Sequence, residues 1–193
     1  MNKAELIAVV AGYLHRTDMA DQISASIAMA TARIGRDLRD RSNYEVGAYV
    51  FPDPLSANIV DMINVVADNA CTLQALTQDQ ILQILHSGET GAARAYSIKG
   101  TQILFAPTPA DGTGFYIAYY KRPDELVNDG DTNQVLSAWP QLYVYACLME
   151  SFFWTQDGDL TEYAKMAYIN EIKTINGQYQ SANVGTSPVM RRI

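Results

Sequence analysis

Apolar residues recur at helical spacing towards both ends of the chain and at strand spacing in its middle. Leu6, Val10, Tyr13 and Leu14 fall on one helical face, and Asn2 with Glu5 has the spacing of a capping box. "HRTDMAD" (15–21) breaks the pattern and offers Thr17 or Asp18 as the next N-cap. Ile23, Ile27, Ala30, Ile34 and Leu38 then predict a second amphipathic helix ending near Arg41.

The period changes in the middle. "YEVGAYVFPDP" (44–54), "NIVDMINVVAD" (58–68) and "ACTLQAL" (70–76) are rich in β-branched and aromatic residues and bounded by turn formers. A short helix interrupts at 77–88, with Thr77 and Gln80 as a capping box and Gly88 as its stop. The stretch 93–107 reads as a hairpin turning near Lys99-Gly100, and "DGTG" (111–114) leads into a further strand over 115–122. Helix returns after 127–133, with Ser137 as N-cap and Pro140 in the first turn, and Asp157-Gly158 ends it. Asp159 with Glu162 starts a last helix carrying Leu160, Tyr163, Ala167, Ile169, Ile172 and Ile175 to about Ser181.

These elements predict one α+β structural unit. Its N- and C-terminal helix pairs (1–43 and 132–181) form a four-helix bundle, with a small, mostly antiparallel β-sheet and one short helix inserted (44–131). An extended tail (182–193) follows.

One stretch does not fit a helix with a watered face. "WPQLYVYACLMESFFW" (139–154) carries one formal charge, Glu150. Leu142, Tyr145, Met149, Phe152 and Phe153 share one side; Tyr143, Cys147 and Trp154 lie around another. A helix apolar on more than one face is buried on more than one face. Either the β-insert or a second subunit covers the extra face. Its Tyr, Trp, Phe and Met content, typical of interface cores, favours a second subunit, with Trp139, Tyr143, Cys147, Phe153 and Trp154 as contact residues.

Charge and chemistry narrow the function. The 193 residues are 48% hydrophobic and 18% charged, a globular balance. The net charge of −7 disfavours gripping a phosphate backbone, though not surrounding one. Arg33, Arg36, Arg39 and Arg41 are the one basic concentration. Asp37 lies four residues past Arg33 and Asp40 four past Arg36, which predicts a salt-bridged, solvated helix face. Cys71 and Cys147 stand far apart, which suggests neither a disulfide framework nor a zinc site and fits a reducing compartment. "LIAVVAGYL" (6–14) lacks a cleavage site, so export is not expected, and no window is long enough to cross a membrane.

No enzyme constellation emerges. His15 and His86 are isolated at helix ends, where the dipole favours them. "DGDTN" (129–133) and "DGDLTE" (157–162) lack the glycine of a calcium loop, and Lys99-Gly100-Thr101 lacks the preceding glycine of a phosphate loop. No catalytic, cofactor or metal site is expected. The terminal "SPVMRRI" (187–193) is either a disordered end or a peptide that orders in a partner's groove.

The order of these pieces resembles the head-to-tail adaptor (connector) proteins of tailed bacteriophages. The resemblance rests on the opening helix pair, "VFPDP", the hairpin with "PTP", the proline-started helix within "DTNQVLSAWPQLYVYACLMESFFW", and a last helix after a short acidic turn. It implies a non-enzymatic structural protein of the virion neck, assembled in the host cytoplasm. Twelve copies would form a ring beneath the portal protein and meet a tail or nozzle protein, with DNA passing through unread and no membrane involved. On that reading the extra apolar face of 139–154 lies between subunits. Pro188, Val189, Met190, Arg191, Arg192 and Ile193 would dock in the portal. The alternative function is an intracellular helical interaction or regulatory homodimer without a virion role.

Overall fold

The computed structural model describes residues 1–68, 71–155 and 158–184, with the side chains of 153, 155 and 180–184 outside the description. The described residues form six α-helices and two three-stranded sheets, divided between two compact units. One unit is Met1–Asn43 with Arg122–Ile193; the other is Tyr44–Lys121.

In the first unit, α1 (Lys3–Leu14) opens on the Asn2/Glu5 capping box, both halves of which are formed. Its first N–H groups donate outward: Lys3 N to Asp131 O and Ala4 N to Asp129 O, each at 3.0 Å. The helix α2 (Ala20–Asp37) starts after Met19, not Thr17 or Asp18. The Asp18 carboxylate is engaged by Arg16, with Nε and Nη2 both at 2.7 Å, which holds it down at about 2. Beyond Asp37 the backbone turns extended at Leu38 rather than continuing to Arg41, and Asn43 Nδ2 donates to Leu38 O at 2.8 Å.

A short helix, α4 (Gln134–Ala138), precedes α5 (Pro140–Thr155), and α6 (Gly158–Val184) follows. Asn133 caps α4, its Oδ1 accepting from Leu136 N at 2.8 Å. Ser137, expected to cap the proline-started helix, lies inside α4 instead. Trp139 breaks the helix because a residue before proline is driven out of helical geometry; its φ is −131° and its ψ 63°.

The second unit holds β1 (Tyr44–Val50), β2 (Ile59–Ala67), β3 (Gln74–Ala75), α3 (Gln78–His86), β4 (Ala95–Lys99), β5 (Gln102–Ala106) and β6 (Gly114–Lys121). The long strands pair in the order β1-β6-β2, both pairs antiparallel. The hairpin β4–β5 turns at Gly100, whose φ of 60° suits glycine, and β3 adds to β4 in parallel. Tyr49, Val65, Ile103, Phe105, Phe115 and Ile117 form a shared core in which the Phe105 and Phe115 rings stack at 4.3 Å. Ile81 of α3 packs with Ala95 and Ala106 against the second sheet.

The fold is α+β, but it is not a four-helix bundle with one inserted sheet. Bundle helices share one core, each offering it a single stripe. Here α5 lies among the others, packing against α1, α2, α4 and α6. The strands divide into two sheets because β6, last in sequence, pairs between β1 and β2, while the local hairpin takes β3 as its third strand.

Candidate interaction surface

The position of α5 explains its sequence. Leu142, Tyr143, Ala146 and Cys147 have no exposed surface, and Val144, Leu148, Met149 and Phe152 are buried too. They share a core with Leu6 and Val10 of α1, Ile23, Ile27 and Ile34 of α2, and Ala164, Tyr168 and Ile175 of α6. The chain's own helices therefore cover the second face of α5. Tyr143 and Cys147, expected at a subunit contact, have no surface to offer a neighbour. Burial pushes the Cys147 thiol up, and nearby Glu150 adds to the effect.

Several polar groups around this core find partners within the unit. Asn133 Nδ2 donates to the Tyr143 hydroxyl and to Asp124 O, both at 2.8 Å. Glu150 receives the Arg33 guanidinium from α2, so Arg33 is spent across the helix interface rather than on Asp37. Arg36 pairs with its neighbour Asp37 at 3.0 Å instead of Asp40. The opposite oxygen of Asp37 accepts from the Tyr168 hydroxyl at 3.0 Å, and Asn176 bonds both Asp37 O and Arg39 N. These contacts fasten α6 to the end of α2. Burial beside Asp37 pushes the Tyr168 hydroxyl up.

Trp139 is half-buried, with Nε1 donating to Asp40 Oδ2 at 3.0 Å. Burial alone would raise the Asp40 carboxyl, but hydrogen bonds from Trp139, Ser42 and the backbone outweigh it and hold it below the ordinary range. Trp154 is 56% exposed at the far end of α5. Leu160, Tyr163 and Met166 of α6 are also exposed, and their spacing of three puts them along one side of that helix. The Phe153 side chain, and Pro188, Val189, Met190, Arg191, Arg192 and Ile193, lie outside the described residues. Periodicity does not single out the α6 set, because Leu160 and Tyr163 run in the same apolar series as residues such as Ile175 that are buried.

Loops that resemble metal or phosphate motifs have other work. The Asp131 carboxylate accepts from Asn128 N and Val127 N at 2.7 and 2.9 Å, closing the turn whose carbonyls cap α1. Among the described residues no three His, Cys, Asp or Glu side chains are grouped to hold a metal ion. His15 is exposed at the end of α1 and His86 in the last turn of α3. No described helix is long and apolar enough to cross a membrane.

A family model described as SU10 adaptor protein matches residues 1–192. The chain belongs to that family. It is thus a structural adaptor protein of a bacteriophage, of a kind that belongs to the virion neck. No curated protein matches the chain. For an SU10 adaptor, exposed apolar side chains next to a closed core are the natural place to look for subunit contacts.

Proposed function

We propose that this adaptor forms a ring, of twelve copies, that joins the portal to a tail or nozzle protein and lets the genome pass. The match of the family over residues 1–192 carries the reading. The net charge of −7 supports the passage of DNA, because an acidic lining repels phosphates and the duplex slides without sticking. The subunit contact uses Trp154, with Phe153 beside it in sequence and Leu160, Tyr163 and Met166 of α6. Trp and Tyr supply large apolar area with a polar tip, the chemistry common at interface centres. The segment 188–193, with Arg191 and Arg192 ending an acidic chain, docks in the portal.

Deletion of residues 187–193 tests the docking. The truncated chain is expected to keep its circular dichroism spectrum and melting temperature while losing co-sedimentation with purified portal rings. Unchanged co-sedimentation would remove the docking role.

A further inference from the structure

The two edges of the sheet β1-β6-β2 are built differently. The β2 edge is guarded: its pairing with β6 is interrupted between Ile59 and Asp61 and again between Met62 and Asn64, and Val66 is bridged by Thr72 on the outer side. Bulges of this kind block pairing with a further strand. The β1 edge has no such guard. "YEVGAYV" pairs in unbroken register with β6, contains no proline or lysine, and carries one charge, Glu45. Phe51 N donates to Thr113 O, so by the alternation of an antiparallel ladder Val46 and Ala48 turn their N–H and C=O groups away from β6. Both residues are exposed.

Beside this edge, on the core side of the sheet, lies a groove of about 280 Å³. Gly47, Leu55, Ile59, Ile117 and Tyr119 make its apolar walls, and the exposed Asp53 stands at its rim. Gly47 keeps one wall of the groove clear: a Cβ there would crowd the Tyr119 hydroxyl at 3.3 Å. A glycine within a strand often marks the close approach of another backbone. On the opposite face of the strand Tyr44, Val46, Ala48 and Val50 are all exposed and uncharged.

We propose that the β1 edge is a strand-acceptor site. An extended segment of another virion protein adds there as a fourth strand. Its outer row of side chains is apolar, lying beside Val46 and Ala48, and its inner row sends a lysine or arginine into the groove. The basic stem runs along Leu55, Ile59 and Ile117, and its charge meets Asp53. A second copy of the chain is a poor occupant: β1 holds no basic residue to send into the groove towards Asp53. The site rests on the geometry of Tyr44–Lys121 and not on ring formation, so the two fail separately.

The full chain would be titrated into a fluorescein-labelled peptide, acetylated Val-Thr-Val-Lys-Val-Thr-Val, and followed by anisotropy and by amide exchange over residues 44–50. Saturable binding is expected, with exchange slowed in that segment. Ala48→Pro, which removes an outward N–H only, should weaken binding at least tenfold. Asp53→Asn, or norleucine in place of the peptide's lysine, should weaken it about threefold, the effect of an exposed ion pair. If Ala48→Pro does not fold, Val46→Lys replaces it, since an edge lysine blocks strand addition. No saturable binding, equal binding by the edge variant, or protection away from 44–50 would overturn the proposal. So would self-association of the chain that the edge variant abolishes, which would assign the edge to a second copy.

Discussion

The burial of α5 within its own subunit makes a sharp prediction about the two cysteines. Cys71 is exposed, whereas Cys147 has no exposed surface and its thiol is pushed up by burial. Only a thiolate attacks a disulfide reagent, so Cys147 must first reach water through an opening of the helices around it. If that opening costs about 5 kcal/mol, the low end of domain stability, its labelling is slowed by three to four decades. With a mixed aromatic disulfide reagent at pH 8, the wild-type chain should show one fast thiol and one slower by about 10³–10⁴-fold. Cys71→Ser should leave only the slow phase, and dilution to monomer should not change it. Were Cys147 instead part of a face covered by a neighbouring subunit, it would label quickly in the monomer and slowly in the oligomer. Two thiols reacting within tenfold of each other in the monomer would refute the closed-core reading.

Trp154→Asp should change the urea unfolding midpoint of the monomer little, by under about 1 kcal/mol, because Trp154 is more than half exposed, while weakening association measured by sedimentation velocity. Tyr143→Phe leaves an Asn133 Nδ2 proton buried without its acceptor and should cost about 1–3 kcal/mol in the same unfolding assay. The Asp40 carboxyl is held below its unfolded value, so its stabilisation is complete above about pH 4 and is lost as pH falls through the folded value. Trp139→Phe removes one of the bonds that holds it there, so the stability–pH curve of this variant should fall less steeply below pH 4 than that of the wild type.

Local chemistry was legible where a few neighbouring residues decide the outcome. The boxes at Asn2/Glu5 and Thr77/Gln80 and the glycine turn at Gly100 are closed by residues within three positions of each other, so their spacing alone identifies them. Partners distant in sequence were not legible. Arg33 could be assigned to Asp37 by spacing, yet its actual partner is Glu150, which lies on another helix. Asn133 caps Leu136 N only three residues on, but the short helix it starts, set off from α5 by Trp139, does not stand out in the periodicity. Its second bond, to Tyr143, reaches ten residues. The two-sheet arrangement turns on β6 inserting between β1 and β2, a pairing that periodicity cannot rank against others.

The excess of apolar residues in 139–154 correctly signalled burial on several sides, but not what does the burying. A helix surrounded by its own subunit and one shared between subunits have the same composition. Exposure separates them: it leaves Trp154 and the α6 trio as surface and takes Tyr143 and Cys147 out of it.

The central claim is a ring seated on a portal, and mass measures it directly. Native mass spectrometry would be run on the purified full chain alone and mixed with purified portal rings of the same phage. A portal ring that gains twelve copies of the 21.3 kDa chain is the expected result. A stable dimer in both samples, with the portal mass unchanged, would contradict it.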